Sequence, residues 1–308
     1  MTLDPRAKAY LDSLRTHGEM PDLRTISIEE QRKWMELLAK GQLGEAQAVS
    51  NVEDRTIPRS DGQISIRVYT PEGPRPLPVL VYFHGGAFTM GSLESEDVVC
   101  RELANGANCI VVSVEYRLAP EHKFPVGVED CYAATKWVAE HAQDLCGDSA
   151  RIAVGGSSSG GNLAAVVALM ARDRGGPPLV YQLLLYPVTN HACDTRSHLE
   201  NGEGYMLTRE FIIWSWSLYL QNEAHGRHPY ASPLQARDLS RLPPALVITA
   251  EYDPLRDEGE AYAVRMREAG VSAEYRRFDG LLHGGLPLET RGVPMKTAFS
   301  ALRQAFRQ

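Results

Sequence analysis

Residues 154–162 read Val-Gly-Gly-Ser-Ser-Ser-Gly-Gly-Asn, three serines inside a bracket of glycines. A serine hydroxyl attacks an acyl carbon only if a tight turn presents it and a positioned base takes its proton. The apolar run Arg151–Gly156 precedes the serines, and the apolar helical pattern Gly161–Gly175 follows them. That is the strand–turn–helix setting of a G-x-S-x-G nucleophile elbow. The glycine spacing selects one serine. Centring on Ser157 would need glycine at 159, and centring on Ser159 would need glycine at 157, so Ser158 is the candidate nucleophile. The rival reading is a Gly/Ser loop that cradles a phosphate at a helix N-terminus. Its P-loop form requires a lysine that does not follow Gly161.

A serine nucleophile needs a histidine and an orienting carboxylate, which in this topology follow it in the order Ser, Asp/Glu, His. Of nine histidines, His191, His198, His225, His228 and His283 come after Ser158. His283 lies beyond the last strand-like run, in a glycine-flanked loop, and is the candidate base. The other four read as surface or cap residues. Asp253 directly follows the strand-like run Ala245–Ala250, and Pro254 biases it away from helix. Glu251 and Asp257 are the runners-up, Asp257 suiting the first turn of the next helix. For the oxyanion, Phe83–Phe88 supplies exposed backbone amides at Gly85 and Gly86, and Ser159 supplies the amide after the nucleophile. His84 precedes the serine and reads as a residue that shapes the oxyanion loop.

Strand-like and helix-like segments alternate along the chain, as in an α/β architecture. Gln63–Tyr69 alternates polar and apolar residues after an Asp61-Gly62 turn signal. Pro78–Phe83 and Cys109–Val114 are continuous apolar runs, suited to strands buried on both faces. Arg151–Gly156, Leu179–Tyr186, Ala245–Ala250 and Ala273–Phe278 continue the series. Helical spacing marks Val128–Leu145, Gly161–Gly175 and Asp257–Gly270. Two segments break the alternation. The N-terminal fifty residues carry a capping-box pattern at Ser27 and Glu30. Glu200–Gln221 is rich in aromatics. Both read as helical insertions on an α/β core, either a cap over a pocket or plain core-covering helices.

Composition bounds the function. The 308 residues are 44% hydrophobic, with a net charge of −7. This suits a soluble protein and argues against nucleic acid or an anionic membrane as partner. The N-terminus lacks the apolar core of a secretory signal. The longest apolar run, Leu163–Ala171, falls far short of a membrane span. Five scattered cysteines without a CxxC pattern suit reduced thiols in the cytoplasm rather than disulfides or a zinc site.

With these residues assembled, the sequence resembles the hormone-sensitive-lipase-like family of α/β-hydrolases, bacterial esterase family IV, from about residue 50 onward. His84-Gly85-Gly86-Ala87-Phe88 is similar to its HGGG-type oxyanion motif. Glu115–Pro125, Gly156–Asn162, Asp253–Gly259 and His283-Gly284 match its further motifs in order. The resemblance implies a mostly parallel eight-stranded sheet flanked by helices, with residues 51–308 as the catalytic domain. It implies a helical cap drawn from residues 1–50 and from an insertion at about 195–230. It further implies a Ser158–Asp253–His283 triad and an oxyanion hole of the Gly85, Gly86 and Ser159 amides. The expected activity is hydrolysis of small-molecule carboxylic esters of short to medium chain through an acyl-enzyme, without cofactor or metal. The same machinery serves amide, deacetylase, thioester or lactone hydrolysis, and a non-catalytic ligand-binding receptor is a further alternative. A homodimer through the last strand is expected. Three positions depart from the pattern. Ser157 replaces the usual acid beside the nucleophile and so removes a negative charge there. Ala87 replaces the third glycine. Gly285 replaces an aromatic, which would enlarge the pocket or loosen the histidine loop.

Overall fold

The computed structural model describes residues 2–17, 22–42, 45–285 and 288–307. The expected N-terminal segment therefore lies partly outside the described residues, at 1, 18–21 and 43–44, as does Leu286 beyond the histidine loop.

Eight strands form one sheet: β1 (Asn51–Arg59), β2 (Gly62–Thr70), β3 (Leu77–Phe83), β4 (Ile110–Glu115), β5 (Gly147–Ser157), β6 (Tyr181–Leu185), β7 (Ala245–Tyr252) and β8 (Ala273–Leu282). Their order is β1-β2-β4-β3-β5-β6-β7-β8. From β4 through β8 every neighbour is parallel, while β2 runs antiparallel to both β1 and β4. The seven strands read from sequence are all present. β1 was not foreseen, because its sequence is polar and contains Pro58. An edge strand tolerates both, since one of its sides needs no ladder partner. The Asp61-Gly62 signal marks the turn that pairs Arg59 with Gly62.

The continuous apolar strands have covered faces, as their composition requires. The helices are α1 (Pro5–His17), α2 (Ile28–Gln42), α3 (Asp97–Ala107), α4 (Val126–Glu140), α5 (Ser159–Asp173), α6 (Arg196–Glu200), α7 (Arg209–Tyr219), α8 (Arg256–Glu268) and α9 (Leu288–Ala305). One core cluster joins the sheet to α4, α5 and α8. A second joins its opposite face to α3 and α9, and a small third one packs α1 on the end of β8. Residues 159–171 of α5 are all buried. A helix apolar on every side is stable only when surrounded, and this one carries the candidate nucleophile's turn at its N-terminus.

The two segments outside the alternation are helical. At the start of α2, Ser27 and Glu30 form the expected capping box: the Glu30 amide donates to Ser27 Oγ at 3.2 Å and the Ser27 amide to Glu30 Oε2 at 2.8 Å. The chain between β6 and β7 carries α6 and α7. Phe88 stacks on Tyr219 at 4.0 Å and meets Trp216 at 5.3 Å, so the aromatics of α7 sit on the loop after β3. Asn162 donates to the carbonyls of Val188 and Ala231 at 2.9 and 2.8 Å, tying both ends of this insertion to α5. Among the described residues no helix is long and apolar enough to cross a membrane.

Candidate active site

The turn between β5 and α5 is as tight as the glycine pattern requires. A Cβ on Gly156 would lie 2.3 Å from the Gly160 carbonyl oxygen. One on Gly160 would lie 1.9 Å from the carbonyl oxygen of Phe83. No side chain fits at either position, so β5, α5 and the end of β3 approach one another only with glycine at both. Between them Ser158 adopts φ 55°, ψ −117°, a region that costs a residue with a Cβ on the order of 1–3 kcal/mol. Its amide donates to the Leu185 carbonyl at 2.8 Å, and its carbonyl accepts from Val188 and Asn162 at 3.1 Å each. The neighbouring strand and helix thus hold the strained conformation.

His283, at the end of β8, lies with Nε2 3.1 Å from Ser158 Oγ. Its Nδ1 is 2.8 Å from Asp253 Oδ2. Asp253 is fully buried, and its second oxygen accepts the Leu255 amide at 2.8 Å. Serine, histidine and aspartate come from the ends of β5, β8 and β7, three strands adjacent to or near one another at the same edge of a parallel sheet. The Tyr186 ring meets the His283 ring edge-on at 5.0 Å. The runner-up carboxylates have other partners: Glu251 Oε2 accepts the Gly280 amide at 2.8 Å, and Asp257 Oδ2 accepts the Ser197 amide at 2.7 Å. His84 is fully buried, stacks on Tyr116 at 4.2 Å, and has Nδ1 2.8 Å from the Gly85 carbonyl. Burial pushes its pKa down, so the neutral ring donates to that carbonyl and shapes the loop. His198 lies in the insertion, as read from sequence, but is buried; its Nδ1 contacts Thr195 Oγ1 at 2.7 Å.

Gly85, Gly86, Ser158 and His283 line one cavity of about 510 Å³. Its apolar wall comes from both insertions: Trp34, Met35 and Leu38 of α2, with Met206, Leu207 and Phe211 at and before α7. Ser159 is buried at the first turn of α5, directly after Ser158. Ala87 and Phe88 both have left-handed backbones, at φ 54° and 64°. The glycine usual at position 87 would adopt this freely, whereas alanine bears roughly 1–2 kcal/mol of strain. Gly285 is left-handed too, at φ 64°. Gly284, and not Gly285, is among the residues that line the cavity.

One acidic residue of this site was not foreseen. Glu96, just before α3, lines the cavity and receives the Ser157 hydroxyl on Oε1 at 3.2 Å. The Gly85 amide points at the same oxygen from 3.5 Å, and the Tyr82 hydroxyl donates to Oε2 at 3.3 Å. The departure at Ser157 therefore leaves a carboxylate beside the elbow after all. In the sequence the only hint is an acid at a helix N-terminus, which the helix dipole alone would account for.

Residues 80–286 match the model of an α/β hydrolase fold family. A carboxylic ester hydrolase, LipN, of Mycobacterium tuberculosis is 41% identical over 99% of this chain and 83% of its own length. An arylesterase of Saccharolobus solfataricus is 39% identical over 95% of this chain and 96% of its own. Among solved structures, a hyperthermophilic esterase from the archaeon Pyrobaculum calidifontis superposes with a TM-score of 0.93 at 43% identity, covering 99% of both chains. A hydrogen-bonded serine–histidine–aspartate row, a strained elbow and this degree of likeness agree: the chain belongs to the α/β-hydrolases, in the hormone-sensitive-lipase-like branch that its motifs resemble.

Proposed function

We propose that this protein is a serine carboxylesterase that hydrolyses short- to medium-chain carboxylic esters through an acyl-enzyme. The observation that carries the reading is the continuous row Ser158 Oγ–His283 Nε2 at 3.1 Å and His283 Nδ1–Asp253 Oδ2 at 2.8 Å. His283 takes the serine proton as Oγ attacks the acyl carbon. Asp253 fixes the tautomer with Nδ1–H toward itself and stabilises the imidazolium. The amides of Gly85, Gly86 and Ser159 receive the oxyanion. His283 then protonates the leaving alcohol, and water, deprotonated by the same histidine, releases the acid. The relatives' printed activities, carboxylic ester hydrolase and arylesterase, support esters as the substrate class.

Residues 1–50 and about 195–230 act as a cap on a catalytic domain of residues 51–308. In support, α2 and the start of α7 both wall the cavity over Ser158. A homodimer through β8, the terminal strand of the sheet, and a cytoplasmic location, in keeping with five free cysteines, complete the proposal.

Hydrolysis of p-nitrophenyl esters of graded acyl length tests the reading, alongside labelling by a serine-directed phosphonate. The expected result is turnover that falls off for long chains, with labelling that disappears in Ser158→Ala. Full turnover in that variant, or no turnover and no label in the parent, refutes it. Sedimentation at several concentrations, with and without a proline in β8, tests the dimer.

A further inference from the structure

The Glu96 carboxylate gathers donors from three separate pieces of the site. Tyr82 belongs to β3, Gly85 to the loop that follows β3, and Ser157 to the last position of β5. Glu96 itself comes from a fourth piece, the N-terminal boundary of α3. Burial and the nearby Glu96 charge hold the Tyr82 phenol well above its ordinary pKa, so Tyr82 remains a hydrogen-bond donor. Ser157 is buried, and its hydroxyl is directed at Glu96. The Tyr82 and Ser157 hydroxyls thus tie the ends of β3 and β5 to one carboxylate, while the Gly85 amide, 3.5 Å away, is too distant for a strong bond and can turn to the oxyanion as the acyl group reacts.

Resting on the hydrolase reading above, we infer that Glu96 is a positioning residue for the reaction: it fixes the oxyanion loop against the nucleophile turn, delivering from α3 the negative charge that position 157 lacks. Gly85 and Ser158 then face the acyl group from two elements whose relative placement is set by Glu96. Oxyanion donors act only if they already stand where the charge will develop, and a misplacement of about 1 Å costs on the order of 100-fold. Among the described residues no hydrogen bond links Glu96 to Ser158 or His283, so it acts through the loop and the turn that it joins. Its effect therefore falls on kcat, with ground-state binding unchanged.

The same geometry sets a charged acid at 157 against a charged acid at 96. An aspartate at 157 would place its carboxylate within hydrogen-bond distance of Glu96, where two like charges repel. The test is a double-mutant cycle on the full-length protein with a short p-nitrophenyl ester, reading kcat and KM separately, with circular dichroism and Tm to monitor folding. Glu96→Ala should lower kcat roughly 10- to 100-fold at nearly constant KM. Glu96→Gln, which keeps an oxygen acceptor, should recover most of that loss. Ser157→Asp alone should lower kcat, and Ser157→Asp combined with Glu96→Ala should regain it. If Glu96→Ala does not fold, Ser157→Asp with and without Glu96→Gln carries the same comparison. Unchanged kcat in Glu96→Ala overturns the inference, as do losses that simply add in the double variant. A fall in Tm with kcat intact also overturns it, since a purely structural role would do only that. Phosphonate labelling of the parent separates the two levels. A labelled, active parent with indifferent Glu96 variants refutes the positioning role alone, and an unlabelled, inactive parent refutes the hydrolase reading beneath it.

Discussion

Two buried carboxylate–histidine pairs lie side by side in this molecule, and only one reaches the serine. Asp253 and Glu258 are five residues apart, and both are fully buried. Asp253 accepts a bond on each oxygen, one from Leu255 and one from His283, which continues to Ser158. Glu258 accepts the Thr189 and Asn190 amides on Oε1, at 2.5 and 3.2 Å. Among the described residues its Oε2 has no hydrogen-bond partner, nor has His198 Nε2, which stands 3.6 Å away. Burial pushes Glu258 up to about 8, with Asp253 and Asp194 adding to the rise. Burial likewise pushes His198 down to about 4. Near pH 7 this second pair is therefore predominantly neutral and serves as packing between α6 and α8. The difference is one of geometry: a buried acid beside a histidine is not enough for the proposed chemistry. The base must also be aimed, at its other nitrogen, at a nucleophile held in a turn.

The sharpest break of this comparison is at the serine end. Ser158→Ala and His283→Gln should each lower kcat by roughly 10⁴-fold or more, and the double variant should fall no further, because the residues act as a unit. Steady-state kinetics on one ester checks both statements, and multiplicative losses would separate the two residues. Asp253→Asn comes next. It keeps the shape but offers an amide that no longer dictates the His283 tautomer, and a loss of about 10³- to 10⁴-fold is expected. Glu258→Gln, the matching change in the other pair, should leave kcat close to that of the parent.

The same comparison explains what was legible in the sequence. The tight turn at Ser158 could be read from spacing alone because the glycines at 156 and 160 report a steric requirement: a Cβ at either would collide with backbone. That Asp253 and His283 come near Ser158 could be anticipated because each stands just past a strand of a parallel sheet, whose carboxyl ends face one way. Glu96 could not, since its role depends on three donors that only tertiary packing brings together. The burial of His198 was hidden likewise. A polar residue in an aromatic insertion looks like surface until α6 is seen packed on α8. β1 escaped because an edge strand owes its place to the ladder with β2, from Asn51 opposite Thr70 to Arg59 opposite Gly62, and not to an apolar pattern.

Glu258 makes a prediction about stability rather than rate. Its pKa is about 8 in the folded protein against 4.5 as an ordinary glutamate. Between those values the folded state holds a proton that the unfolded state has released, so stability falls as pH rises through this window. The contribution is on the order of a few kcal/mol. His198 acts with the opposite sign, because its folded pKa of about 4 lies below the ordinary 6.5. Between 4 and 6.5 the unfolded state holds the extra proton, and stability rises with pH there. The two slopes oppose each other from 4.5 to 6.5, leaving the Glu258 decline exposed from 6.5 to 8. Chemical-denaturation midpoints should therefore drop over that upper interval in the parent and stay level in Glu258→Gln. An equal drop in both would remove Glu258 as the cause.

The smallest effect belongs to His198→Asn, which keeps a polar atom near Thr195 but cannot gain a proton. The opposing histidine slope is then gone, so the Glu258 decline should begin near pH 4.5 rather than 6.5. The variant should accordingly become less pH-sensitive below 4.5 and more so between 4.5 and 6.5. Because the His198 shift spans 2.5 units against 3.5 for Glu258, as 6.5 − 4 and 8 − 4.5, the change is the lesser of the two. Its kcat should follow the parent's at pH 7, since His283 and Ser158 meet without it. A catalytic loss comparable to that of Asp253→Asn would mean that the second pair is coupled to the first, and the contrast between them would fail.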